Sequence, residues 1–298
     1  MVKKVALALS SGGARGLVHV GVICEIERRG YEIVSLSGSS MGALVGSMHA
    51  ADTLSDFRAW VEKLSRMDVL GLVDFTLGGN GFVKGDKIFD EMLRLGFIPQ
   101  KNIEDLQKPL VVLATDVIAS KEIVYDKGSL AHALRASISI PGIFTPIKVS
   151  DALLVDGGIF NPLPIKHLKR NDADIIIAVD VNAMIPYQKP PQEKDRHEES
   201  EEDKSAFEQL KDKWYEFFEG DEKKKLTKVS KLGYIDMLHR VIQVMMNSMT
   251  MQAIKDNPPD VLISTSKDAC GVFEFYRAKE IIALGERACA KALDEVGL

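Results

Sequence analysis

The sequence predicts an α/β protein with a doubly wound, largely parallel central sheet. Short apolar runs of strand length alternate with longer segments of helical periodicity along most of the chain. Strands separated by helices are typical of parallel sheets. The chain has 298 residues, of which 46% are apolar and 27% charged, as in globular proteins. We therefore expect one α/β domain over 1–298.

The predicted elements alternate from the first residues onward. A buried strand over 5–10 leads to a helix over 17–30 that ends at Gly30, and a strand over 33–40 leads to a helix over 41–52. Further strands are predicted at 110–117, 122–126, 152–156, 174–181 and 260–265. Further helices are predicted at 54–67, 86–95, 131–139, 162–170, 234–255 and 274–295.

The segment 187–232 differs from the rest of the chain in composition. It is charged and poor in strand-forming residues, and we interpret it as a helical, charged insertion. Within it, the stretch 205–220 places apolar side chains on one helical face: Phe207, Leu210, Trp214, Phe217 and Phe218. This face packs on the body of the protein, covers the active site or contacts a lipid interface. The methionine-rich stretch 241–252 fills the core or lines an acyl channel.

Charge and cysteine usage exclude some classes of function. A formal net charge of −5 gives no electrostatic case for a nucleic-acid partner. Cys24, Cys270 and Cys289 are far apart and show neither a disulfide framework nor a metal spacing. No run approaches the roughly 20 apolar residues that span a bilayer. We expect a cytoplasmic protein without metal or cofactor that touches membranes at most peripherally.

The run Gly38-Ser39-Ser40-Met41-Gly42 places a serine between a predicted strand and a predicted helix. This is the context that the G-x-S-x-G pattern requires, because small residues let the chain reverse sharply around the serine. The hydroxyl is then exposed at the tip of the turn, and the helix start supplies free N–H groups and partial positive charge. We predict that Ser40 is a nucleophile; the alternative is a tight turn that needs small residues.

A serine hydroxyl needs a base to become a nucleophile. Histidines such as His19 and His239 lie within predicted helices, which favours structural roles for them. Asp156 instead follows an apolar strand and precedes Gly157 and Gly158, at the strand ends where open α/β sheets bind ligands. Partial burial there raises the pKa of a carboxyl and strengthens it as a base. The alternative is an Asp-Gly turn between two strands.

A glycine-rich turn over 11–16, Ser-Gly-Gly-Ala-Arg-Gly, follows the first strand. A dinucleotide fingerprint would need a glycine at the first position, and a P-loop would need Gly-Lys-Ser/Thr at the end. The third interpretation is an oxyanion hole, in which backbone N–H groups face a developing negative oxygen. Arg15 then adds charge or holds the turn in place.

Together these motifs resemble those of patatin-like phospholipases. The stretches 11–16, 38–42 and 156–158 have the order and approximate spacing of that family, and a triad histidine is lacking in both. The stretch 137–146, Ser-Ile-Ser-Ile-Pro-Gly-Ile-Phe-Thr-Pro, resembles the segment that the family carries before its aspartate. The resemblance covers roughly 3–182, and one departure is the serine at position 11, where many members have glycine.

The resemblance implies a serine–aspartate dyad. Ser40 would attack an ester carbonyl, Asp156 would act as base, and water would hydrolyse the acyl-serine intermediate. The implied oxyanion hole comprises Gly12, Gly13, Ala14, Arg15 and Met41, and the implied motif glycines are Gly16, Gly38, Gly42, Gly157 and Gly158. The implied function is a lipid acyl hydrolase of the phospholipase or lysophospholipase type. Acyl transfer on the same dyad and a non-catalytic lipid-binding regulator are the alternatives.

Overall fold

The structure is a computed structural model that describes residues 3–72, 86–141, 144–171, 174–187 and 234–298. These residues form one eight-stranded mixed sheet with helices packed against it. The strands are β1 (Lys4–Leu9), β2 (Glu32–Ser39), β3 (Leu110–Asp116), β4 (Lys121–Tyr125), β5 (Ile147–Val149), β6 (Ala152–Asp156), β7 (Ile175–Ala183) and β8 (Val261–Ser266). The α-helices are α1 (Val18–Arg28), α2 (Met41–Ala50), α3 (Leu54–Val61), α4 (Arg66–Leu72), α5 (Asp86–Arg94), α6 (Leu130–Ser137), α7 (Tyr234–Asp256) and α8 (Ala278–Glu295).

The sheet is largely parallel, which confirms the predicted fold class. Strands β3, β2, β1, β7 and β8 are neighbours in that order and pair in parallel. Strands β4, β5 and β6 pair antiparallel around β3. Leu9 of β1 pairs with Gly38 of β2, so the glycine-rich turn and the serine turn leave the sheet at the same edge.

The core lies on both faces of the parallel strands. Strand β3 is buried along its whole length and β1 along all but its first residue, which is why both read as continuous apolar runs. Helices α1 and α8 are in backbone contact: a Cβ added at Gly21 would lie 2.0 Å from the Ile282 carbonyl oxygen. The reciprocal site is Gly285, where a Cβ would lie 2.1 Å from the Val18 carbonyl oxygen. The last helix therefore fixes the helix that follows the glycine-rich turn.

The predicted helix over 162–170 is wrong. Only a 3₁₀ turn, Ile165–His167, forms there. Pro162 and Pro164 have no N–H to donate, and proline also disfavours the helical conformation of the residue before it. The Ser37 hydroxyl donates to the Pro164 carbonyl at 2.9 Å, so the segment is tied to β2. Strand β5, three half-buried or exposed residues, was not predicted.

Helix α7 carries exposed apolar side chains. Val244, Met245 and Met251 are 67%, 58% and 60% exposed. The expectation that methionines of this stretch fill the core or line an acyl channel is therefore wrong for these two methionines. The predicted insertion over 187–232, with its aromatic face at 205–220, lies outside the described residues apart from its first residue. In the described ranges no helix has the length and apolarity needed to cross a bilayer.

Candidate active site

Ser40 occupies the sharp turn between β2 and α2. Its φ of 54° and ψ of −124° are unfavourable for a residue with a side chain, and such strain persists only where the surroundings enforce it. A Cβ at Gly38 would lie 2.5 Å from the Ala43 nitrogen. One at Gly42 would lie 2.3 Å from the Leu9 carbonyl oxygen. Both positions therefore need glycine, and the predicted strand–turn–helix geometry is present.

The backbone of Ser40 is held by a second serine. The Ser40 N–H donates to the Ser137 hydroxyl oxygen at 2.9 Å. This buried contact joins the sharp turn at Ser40, called the elbow from here on, to the end of α6. Sequence reasoning missed this role, although the stretch 137–146 had been singled out as a motif. Ser40 is only 3% exposed, so the residue is buried, whereas its hydroxyl was expected to be exposed at the tip of the turn.

Asp156 ends β6 and is fixed through its backbone. Its N–H donates to the Ser139 carbonyl at 2.9 Å, and its carbonyl accepts from the Thr115 hydroxyl at 2.9 Å. The residue is 4% exposed. The motif segment 137–146 therefore contacts both candidate catalytic residues, because Ser137 holds Ser40 and Ser139 holds Asp156.

The carboxyl of Asp156 has an unusual electrostatic environment. Burial raises its pKa from 3.8 to about 7, although the nearby Ser40 hydroxyl and the Gly158 amide lower it. Oδ1 accepts a hydrogen bond from the Gly158 N–H at 2.7 Å. Oδ2 is buried without a hydrogen-bond partner among the described residues, while the Ser40 hydroxyl is near enough to lower the pKa of the carboxyl. The structure thus brings Ser40 and Asp156 together, with one carboxylate oxygen fixed and the other available.

The two glycines after Asp156 permit close contacts. A Cβ at Gly157 would lie 2.2 Å from the Leu113 carbonyl oxygen. One at Gly158 would lie 2.6 Å from the Ser11 hydroxyl oxygen. The turn over 156–158, called the aspartate turn from here on, therefore packs against β3 on one side and against the glycine-rich turn on the other.

The glycine-rich turn offers fewer free amides than expected. Gly13 has a φ of +54° and lies against Val272. The Ala14 N–H donates to the Val272 carbonyl at 2.8 Å, so this amide is engaged and is not a free donor. The Gly12 and Gly13 amides have no acceptor among the described residues.

The Arg15 side chain ties the glycine-rich turn to β7 and to the segment after β8. Its Nε donates to the Asn182 side-chain oxygen at 3.0 Å, and one of its terminal nitrogens donates to the Cys270 carbonyl at 3.3 Å. The Asn182 amide in turn donates to the Ser11 carbonyl at 2.6 Å. Of the two roles considered for Arg15, these contacts support the one that shapes the turn.

The buried histidines of the first two helices serve structural roles. The Nε2–H of His19 donates to the Ser10 carbonyl at 2.8 Å, and burial lowers the pKa of this imidazole to about 4. Burial also lowers the pKa of His49 to about 4. Both rings are therefore neutral at physiological pH. His239 lies on α7. Within the described ranges no cluster of three or more His, Cys, Asp or Glu side chains is placed to hold a metal.

An apolar cavity extends from Ser40 beneath α3, α4 and α5. Met41 lines this cavity and packs against Gly16, where a Cβ would lie 2.4 Å from the Met41 side chain. Aromatic rings of Phe57 and Trp60 form part of the wall, with centroids 6.0 Å apart. Other lining residues are Leu44, Val61, Ile138 and Phe144. A serine in the wall of an apolar cavity is suited to a substrate with an ester group and an apolar tail.

A mixed sheet with a serine elbow beside a buried aspartate defines the class as an α/β protein with a serine hydrolase-like site. The model of the family described as patatin-like phospholipase matches residues 7–169. The chain belongs to this family. Membership confirms the predicted resemblance and the prediction of a lipid ester hydrolase.

Curated proteins and a solved structure are similar to this chain. An NTE family protein of Mycobacterium tuberculosis is 32% identical over 331 residues, covering 98% of this chain and 91% of the relative. Lysophospholipase NTE1 of Pyricularia oryzae is 30% identical over 186 residues, covering 61% of this chain and 12% of the relative. The crystal structure of VipD from Legionella pneumophila aligns with a TM-score of 0.48 at 15% identity, over 99% of this chain and 67% of that one.

Proposed function

We propose that this protein is a serine esterase that cleaves acyl esters of lipids through a dyad of Ser40 and Asp156. The observation that carries the proposal is the Asp156 carboxyl, which is buried next to Ser40 and has a pKa near 7. A base with such a pKa accepts a proton efficiently at neutral pH. The strained elbow presents the serine to that carboxyl, and the relative named lysophospholipase has the same kind of substrate.

The proposed reaction has two halves. Asp156 takes the hydroxyl proton while Ser40 Oγ attacks the ester carbonyl, and the protonated aspartic acid then donates that proton to the departing alcohol. The amides of Gly12 and Gly13, with the start of α2 at Met41, stabilise the negative oxygen. Water then attacks the acyl-serine, again with Asp156 as base. This assignment keeps the predicted oxyanion hole without Ala14 and without the Arg15 side chain.

The apolar cavity defines the acyl side of the substrate. Its walls carry aliphatic and aromatic side chains, and Ser40 is one of the residues that line it. Burial of each methylene group contributes about 0.8 kcal/mol, so acyl chains that extend into the cavity bind better than short ones. We propose a phospholipid or lysophospholipid as substrate.

A serine-reactive fluorophosphonate probe tests the proposed function. Wild type is expected to be labelled on Ser40, and Ser40→Ala is expected to lose the label. Ser47→Ala is the matched control, because Ser47 is a buried serine on α2, the helix that follows Ser40, and its hydroxyl donates to the Leu44 carbonyl. An unlabelled wild type would support the non-catalytic regulator, and transfer of the acyl group to added alcohol in place of water would support the acyltransferase.

We further propose a cytoplasmic location with peripheral membrane contact. The support is the aromatic pattern over 205–220 in the sequence, together with the exposed apolar residues on the helix that follows, Val244 and Met245. Sedimentation with phosphatidylcholine vesicles tests this: Trp214→Ala should reduce the bound fraction. Equal binding of wild type and variant would contradict a contact through this stretch.

A further inference from the structure

Ser11 has a buried hydroxyl that the proposed mechanism does not use. The residue is 4% exposed, and its Oγ has no hydrogen-bond partner among the described residues. Its backbone is fixed on both sides: its N–H donates to the Pro162 carbonyl at 3.0 Å, and its carbonyl accepts from Asn182 at 2.6 Å. Because buried hydroxyls are nearly always paired, a fixed and unpaired one next to a reaction centre is a candidate for binding a reactant.

The hydroxyl lies beside the candidate base. The point where a Cβ of Gly158 would lie is 2.6 Å from Ser11 Oγ and 3.0 Å from Asp156 Oδ1. Asp156 Oδ2 is the other buried polar atom at this site that has no partner in the described ranges. Gly158 therefore packs close to both the Ser11 hydroxyl and the Asp156 carboxyl, and a side chain at that position would displace them.

The strand register places Ser11 at the same edge of the sheet as Ser40. Leu9 and Gly38 are paired on adjacent parallel strands, and Ser11 and Ser40 each follow two residues later. Neighbouring strands lie about 4.8 Å apart. Both serines therefore leave the sheet side by side, with the aspartate turn pressed against Ser11.

We propose that Ser11 holds the water molecule that hydrolyses the acyl-enzyme and thereby favours hydrolysis over acyl transfer. This inference rests on the proposed function, since it concerns the second half of that reaction. A buried water needs two or more polar partners, and Ser11 Oγ and Asp156 Oδ2 supply two. Water has two O–H donors and can donate to both groups at once, whereas an alcohol has one and can donate to only one of them.

The hydrolytic step is balanced with these groups. Water donates one hydrogen bond to Asp156 Oδ2 and the other to Ser11 Oγ. As the water oxygen bonds to the acyl carbon, the Asp156 carboxylate takes the first proton. The bond between Ser40 Oγ and the acyl carbon then breaks, Asp156 returns the proton to Ser40 Oγ, and the carboxylic acid leaves. Ser11 transfers no proton; it orients the water.

The test separates the two halves of the reaction with a p-nitrophenyl ester. In Ser11→Ala, the acylation rate should stay within about twofold of wild type, because acylation does not use the water. Deacylation should slow about tenfold, the factor that one hydrogen bond accounts for. The variant should therefore release a burst of about one equivalent of p-nitrophenol and accumulate acyl-Ser40, visible by intact-protein mass spectrometry. With added methanol, its ratio of methyl ester to acid should rise above the wild-type ratio.

A second variant and a control complete the test. Ser11→Gly should reproduce the effect, and Ser47→Ala should leave both rates unchanged. Equal slowing of acylation and deacylation in Ser11→Ala would mean that Ser11 only packs the turn, and unchanged deacylation would mean that it does not hold the water. Either result overturns this inference while fluorophosphonate labelling of Ser40 remains. Absence of labelling in wild type would instead overturn the proposed function.

Discussion

At the scale of single residues, the proposed function depends on the ionisation of Asp156. Its carboxyl must lose a proton before it can accept one from Ser40, and burial raises its pKa to about 7. The activity should therefore increase with pH by about tenfold per unit below pH 7 and level off above about pH 8. A profile of kcat/KM between pH 5 and 9 checks this. Constant activity across that range would assign the base to another group.

The same carboxyl carries a prediction about stability. A pKa raised from 3.8 to about 7 means that the folded state holds the proton more tightly than the unfolded state. The free energy of unfolding therefore decreases as pH rises above 3.8, and the full loss is reached above pH 7. Asp156→Asn removes this penalty, so its melting temperature relative to wild type should be higher at pH 8 than at pH 5.

Turnover of Asp156→Asn should fall by about 10²–10⁴, the contribution of a general base. Loss of activity together with a gain of stability at high pH would indicate a carboxylate whose burial destabilises the fold but is needed for the reaction. A variant that loses both activity and stability at pH 8 would show that the carboxyl is structural.

At the scale of elements, the elbow is held by a helix distant in sequence. Ser137, the last residue of α6, accepts the hydrogen bond from the Ser40 N–H. Ser137→Ala leaves that buried N–H without a partner, which costs about 1–3 kcal/mol of stability. It should also lower kcat more than it raises KM, because the serine is displaced while the cavity is intact. Ser47→Ala is the control, and unchanged kcat in Ser137→Ala would contradict a role in positioning.

Much of the element pattern could be predicted because burial on both faces makes parallel strands read as apolar runs. The strands over 110–117 and 174–181 were found on this basis, close to the β3 and β7 of the structure. The segment 162–170 was mistaken for a helix because its apolar spacing outweighed its prolines. Strand β5 is too short and too exposed to leave a periodic signal.

The candidate site could be predicted in part. Ser40 and Asp156 could be identified because glycines lie beside them in the sequence, and glycines there indicate that another part of the backbone passes close by. The structure shows such close contacts with backbone atoms at Gly42 and Gly157. The hydrogen bond from Ser40 to Ser137 could not be found, since it joins residues 97 positions apart. The engagement of the Ala14 amide by Val272 was missed for the same reason.

At the scale of the whole molecule, the apolar cavity joins the turn at Ser40 to helices α3, α4 and α5. Val61 is 1% exposed on α3 and lines this cavity. Val61→Phe shortens the cavity, so kcat/KM for a p-nitrophenyl ester of a long fatty acid should fall about tenfold or more, the loss expected when two or more methylene groups are excluded. The acetate ester should be cleaved within about twofold of wild type, since its acyl group does not reach Val61. Equal effects on both esters would place the acyl chain elsewhere.

The central claim is that Asp156 activates Ser40. The most direct measurement is the rate of fluorophosphonate labelling of wild type and Asp156→Asn between pH 5 and 9, with the labelled residue identified by peptide mass spectrometry. We predict that the label is on Ser40, that the wild-type rate increases with pH through about 7, and that the variant reacts slowly at every pH. Labelling of the variant at the wild-type rate, or of a residue other than Ser40, would contradict the dyad.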